Sequence, residues 1–180
     1  MVELAAEGYD GLTIERVAER ARTGKASIYR RWPNKLELAL DAIETYLPTV
    51  GAAPDTGSVR GDLLVVLRRI AKHLNSNAGS AMRACMTNVK THGELAAAVN
   101  ERLVAPRKQV IRDILLRGVE HGEVRPDAVS DRVVELGPML LHAEREHRPV
   151  LRDRDVVAIV DEVLMPLVRA PATMPAPSGR

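Results

Sequence analysis

Apolar residues recur along the chain at helical rather than strand spacing. Val2, Leu4, Ala5 and Ala6 predict a short opening helix that Gly8 stops. Thr13 occupies an N-cap position before Ile14, Val17, Ala18 and Ala21, which predicts a second helix of about two turns. Arg22, Thr23 and Gly24 break the pattern, and KASIYRRW resumes it as a third helix with Ile28 and Trp32 on one side. Pro33 is tolerated ahead of a fourth helix that turns Leu36, Leu40, Ile43 and Leu47 inward.

Residues 48–58 lack periodicity and read as a loop. Leu63, Val66, Leu67, Ile70 and Leu74 then mark a long amphipathic helix ending near Asn75 to Asn77, and a sixth helix is expected from about Ser80 to Lys90. Leu95, Val99, Leu103, Val110, Ile114 and Val119 continue the pattern, bent at Pro106 and stopped at Gly122. Two further helices are expected, roughly Ala128 to His147, with a kink at Gly137-Pro138, and Asp153 to Arg169. No alternating pattern of useful length appears, so the expected fold is all-α with about nine helices. The last ten residues, PATMPAPSGR, read as a disordered tail over 171–180.

In DVVAIVDEVLMPLV only Asp155, Asp161 and Glu162 are polar. So wide an apolar arc needs cover on two sides, and a second copy across a two-fold axis supplies it most economically. The expected interface comprises Val133, Leu136 and Leu140 of the eighth helix and Val156, Ile159, Val160, Val163, Leu164 and Leu167 of the ninth.

Composition adds an asymmetry. All four aromatic rings, Tyr9, Tyr29, Trp32 and Tyr46, lie in the first 46 residues, and Phe is absent. From Arg16 to Lys35 seven Lys or Arg face Glu19 alone, a local +6 in a chain whose total is +2, which leaves −4 for the remainder. A basic patch on an acidic body is the footprint of nucleic-acid contact. No apolar run approaches membrane-span length, and MVELAAEGYDG resembles no secretory leader, so no membrane association and a cytoplasmic location are expected. Cys85 is alone, so no internal disulfide is possible.

Two short helices joined by a tight turn, the second rich in base-reaching and phosphate-reaching side chains, make a helix-turn-helix. LTIERVAERARTGKASIYRRWPNKLEL resembles the DNA-binding region of the TetR family of bacterial transcriptional regulators. ELAAAVNERLVAPRKQVIRDILLRGVEHGEVRPDA and VVELGPMLL are similar to the regulatory domain of one subgroup. The resemblance implies a DNA-binding domain over 1–47, a linker over 48–58, and a ligand-binding and dimerisation domain over 59–170. It places Lys25, Ala26, Ser27 and Arg30 at base-facing positions and Thr13, Tyr29, Arg31 and Lys35 on phosphates. Major-groove geometry suits this division, with Arg30 fitted to guanine and Ala26 to a thymine methyl. Trp32 reads as core with Ile28.

The sequence departs from the family in two places. Arg22 stands where the turn usually has Gly, and Gly24 where the third helix usually has a hydroxyl cap; a positive φ at 22 would cost on the order of 1 kcal/mol. Relatives also begin with a basic arm and a longer first helix, so Leu4, Val17 and Ala21 are expected to be less covered here, with DNA affinity reduced. The alternative reading is therefore a helical ligand-binding or scaffolding protein with impaired DNA binding.

The resemblance further implies a homodimer on a palindromic double-stranded operator, and a small-molecule effector bound among the later helices. Leu67, Ile70, Leu74, Met82, Cys85, Met86, Val89, Met139 and His142 are the candidate lining, Met being adaptable and pocket-prone. Glu144 and His147 form one E-x-x-H, but HAEREHR reads as a solvated helix end. No phosphate loop, nucleophile elbow or dinucleotide fingerprint occurs. Neither enzyme activity nor a cofactor or metal is expected.

Overall fold

The computed structural model describes residues 2–89 and 92–170. Among them the chain forms α1 (Val2–Gly11), α2 (Ile14–Arg20), α3 (Lys25–Arg31), α4 (Lys35–Tyr46), α5 (Val59–Leu74) and α6 (Asn77–Val89). Helix α7 runs as Gly93–Val99, passes through a π-turn at Asn100–Val104 and resumes as Ala105–Glu120. A 3-10 turn at Pro126–Ala128 precedes α8 (Asp131–His147), and α9 comprises Asp153–Ala158, a π-turn at Ile159–Leu164 and Met165–Val168. The fold is all-α; the described residues contain no strand, only an isolated bridge between Val124 and Arg169. The expected tail, 171–180, lies outside the described residues.

Helix ends depart from the periodic reading in places. Helix α1 does not stop at Gly8 but kinks there, at φ 69, and continues to Gly11. Helix α5 starts at Val59, directly after the expected loop, its first amide donating 3.2 Å to the Glu123 carboxylate. Helix α8 starts at Asp131, not Ala128, because the Ser130 hydroxyl accepts from the Val133 amide and caps it there.

Each π-turn is followed by a proline, Pro106 or Pro166. Proline offers no amide to the carbonyl four residues back, and its ring crowds that carbonyl. A widened turn relieves both problems: the Ala105 amide donates to the Asn100 carbonyl and the Met165 amide to the Val160 carbonyl, five residues back in each case. The bend expected at Pro106 is thus a π-turn just upstream.

The chain forms two compact units, Met1–Val50 with Lys72–Arg107, and Gly51–Ala71 with the chain from Lys108 onward. The first is built on Leu4, Leu40, Ile43, Leu95, Val99 and Leu103, with Met82 among them. Leu4 is only 1% exposed, so its cover is complete despite the short first helix, whereas Ala21 is exposed. Beside this core Ile14, Ala18, Ile28 and Leu38 form a small cluster with Val17 and Trp32 packed on it, which fixes α2 against α3.

In the second unit Leu63, Leu67, Ile114, Leu115, Val134, Leu141 and Val168 are buried. Val156, Ile159, Val160 and Leu164 are buried there as well, at 4% exposure or less. In the single chain these four side chains present little surface, unlike the other residues expected on a face between copies. Met139, Val163 and Leu167 remain exposed, with Val133, Leu136 and Leu140 half-buried.

Candidate nucleic-acid interface

Thr13 caps α2, its hydroxyl accepting from the Arg16 amide at 3.3 Å. At the other end the Arg22 amide donates to the Glu19 carbonyl and the Thr23 amide to the Ala18 carbonyl. These two bonds define a Schellman stop, whose C′ residue takes a left-handed backbone. That residue is Arg22, at φ 50. Gly24 then serves as N-cap of α3 without a side-chain bond.

Helix α3, about 10 Å long, buries only Ile28. Lys25, Ala26, Ser27, Arg30 and Arg31 are exposed, and Tyr29 is 48% exposed. Trp32 closes the helix as a packing residue, its indole N–H donating 2.9 Å to Asp41 while the Arg31 guanidinium lies 4.7 Å from its ring centre. Lys35 opens α4, capped by Asn34. Its ammonium donates to the Asp10 carbonyl at 3.3 Å and sits 4.4 Å from the centre of the Tyr9 ring.

Electrostatics changes the picture drawn from sequence. Arg16 pairs with Glu7 at 2.9 Å and with Glu3 at 3.5 Å, and Arg20 pairs with the buried Glu3. Lys25 reaches Glu15 at 2.9 Å, and that hydrogen bond holds the Glu15 carboxyl below its ordinary range, so it is ionised at neutral pH. Arg31 lies 3.7 Å from Asp41. Within this segment, Arg22 and Arg30 face no acid among the described residues. The local charge therefore overstates what is available to a ligand. A signal for this was present in the sequence: Glu3 and Glu7 share one helix face, as do Arg16 and Arg20.

The expected effector residues divide between the two units. Leu74, Met82 and Met86 belong to the first unit, Met82 in its core and Met86 packed against it. Leu67, Ile70, Met139 and His142 belong to the second, where Met139 is 60% exposed and His142 is also exposed. The side chains of Cys85 and Val89 lie outside the described residues. Leu67 lines a small apolar gap with Leu63, Ile111, Leu115, Gly137 and Leu164, whose free space of about 10 Å3 admits roughly one water. Glu144 is engaged by Arg148 at 3.5 Å, and no group of three His, Cys, Asp or Glu converges among the described residues.

Comparison with known proteins bears on the same segments. Residues 1–42 match the model for bacterial regulatory proteins of the tetR family, and residues 53–163 match a tetracyclin repressor-like C-terminal domain. The HTH-type transcriptional regulator Rv1556 of Mycobacterium tuberculosis is 36% identical over 165 residues, 91% of this chain and 81% of that protein. A DNA-binding transcriptional repressor TetR of Mycobacteroides abscessus is 30% identical over 92% of this chain and 88% of its own length. The crystal structure of the TetR family transcription regulator SCO0332 superposes with a TM-score of 0.61 at 33% identity, covering 89% of this chain and 90% of that one. No helix among the described residues is long and apolar enough to cross a membrane.

Proposed function

The chain belongs to the TetR family of bacterial regulatory proteins and is a DNA-binding transcriptional regulator; on that footing we propose that it is a cytoplasmic homodimeric repressor, released from a palindromic operator by a small molecule. The observation that carries the DNA side is α3, which spends a single side chain, Ile28, on packing and leaves Lys25, Ala26, Ser27 and Arg30 exposed. Those four read base edges in the major groove, while Thr13, Tyr29, Arg31 and Lys35 hold phosphates. Arg30, with no acid to release, is the strongest specificity contact.

Dimerisation is supported by Met139, Val163 and Leu167, apolar side chains left exposed on α8 and α9. A two-fold dimer sets half-sites about 34–36 Å apart, or a multiple of that. The apolar gap around Leu67 is far smaller than the ~300 Å3 of an ordinary ligand pocket, so an effector must open the second unit to enter it. An opened state that binds DNA less well supplies a coupling of about 1–3 kcal/mol.

The test is selection of bound sequences from random duplex DNA, followed by titration of two variants. Arg30→Ala should lose about 1–3 kcal/mol at particular base pairs and relax preference there. Lys35→Ala should weaken all duplexes alike and lower the salt slope by about 1. Its melting temperature must be recorded too, because Lys35 also ties Asp10 and Tyr9. Equal loss of preference from both variants would contradict the assigned roles, and the absence of any duplex binding would favour the scaffolding alternative.

A further inference from the structure

We infer that Arg22 is a contact to the DNA backbone, an inference that rests on α3 entering the major groove. Among the described residues it is the one non-glycine residue with positive φ. The C′ position it fills suits glycine, whereas an L side chain there crowds the neighbouring carbonyl. The two Schellman hydrogen bonds hold this backbone whichever residue fills the position, so they do not account for an arginine there. The side chain is exposed and engages no acid, carbonyl or ring among the described residues.

Its neighbours behave differently. Arg16, Arg20 and Lys25 are held by Glu7, Glu3 and Glu15, Arg31 lies near Asp41, and Lys35 is lodged against Asp10 and Tyr9. A strained backbone and an unengaged guanidinium thus coincide at a single residue, in the turn that leads into the recognition helix. An arginine kept where glycine would be less strained, with its side chain unengaged, points to a partner outside the fold. With α3 in the groove, this turn faces the rim, where phosphates run. A guanidinium presents a planar fork of donors that matches phosphate oxygens.

Three variants of the full-length protein separate the strain from the charge. Arg22→Gly should raise the melting temperature by about 2 °C as the strain is released. The same variant should bind labelled duplex from the region flanking its own gene about tenfold more weakly at moderate salt. Its log K against log salt should become shallower by about 0.9 per half-site. Arg22→Gln, which keeps the strain, should show the same binding loss with no gain in melting temperature, and Arg22→Lys should keep most of the affinity and the slope. Arg22→Gly and Arg22→Gln binding with wild-type affinity and slope would overturn the inference while leaving the family reading intact. A wild-type protein that binds no duplex would overturn both.

Discussion

A Val163→Asp/Leu167→Asp variant is expected to be a folded monomer that no longer holds a palindromic duplex. Both side chains are substantially exposed in the single chain, at 37% and 40%, so charge placed there leaves the core of the second unit intact. Across a two-fold seam the same charges face their own copies and apolar neighbours. An uncompensated buried carboxylate costs several kcal/mol, and the symmetry repeats the penalty. The dimer dissociation constant should therefore rise by at least about a thousandfold, the equivalent of roughly 4 kcal/mol. Loss of the second half-site removes the effective-concentration advantage of a joined pair, about 10²–10⁴ in avidity. Sedimentation of wild type and variant, with circular dichroism to verify folding, reads the first effect and duplex titration the second. A variant that stays dimeric would place the interface elsewhere.

The second large effect concerns stability. Asp62, 2% exposed, accepts from the Thr56 amide at 2.7 Å and the Thr56 hydroxyl at 2.8 Å, and pairs with Arg117 at 2.6 Å. One carboxylate thereby ties the loop before α5 to the latter half of α7. Asp62→Ala leaves the Thr56 donors and a half-buried guanidinium short of an acceptor, and should cost about 3 kcal/mol. At roughly 2–4 °C per kcal/mol for a chain of this size, the melting temperature should fall by about 6–12 °C. Asp62→Asn, which retains an acceptor oxygen, should lose about half as much. Urea unfolding with an unchanged slope but a lower midpoint is the expected signature. A loss below about 1 kcal/mol would show that water replaces the carboxylate.

The helices were legible because their apolar positions repeat locally, and so were the helix-turn-helix and its exposed residues. Arg22 as a strained turn residue was legible too, since a Schellman stop demands the left-handed backbone whatever residue fills it. What escaped sequence reasoning depends on distant partners. The Val59 amide at the start of α5 finds its acceptor in Glu123, 64 residues away. The width of the apolar arc on α9 was visible, but not which part its own unit would cover. The π-turn at Ile159–Leu164 rotates the residues after it by about one position, roughly 100°, and so alters which side chains share a face. The effector residues were chosen by type alone, and type does not say whether Met139 faces a cavity or solvent.

The acids that occupy Arg16, Arg20 and Lys25 bear on how the regulator locates its target on a chromosome. Non-specific attraction to DNA grows with every condensed counterion a protein can displace, and cations already matched at home displace few. Such a protein dwells briefly on irrelevant sequence and samples the genome by frequent release. Occupancy of its site then depends on the few contacts that recognise bases, so a single base-pair change in the operator should be felt strongly even in dilute buffer.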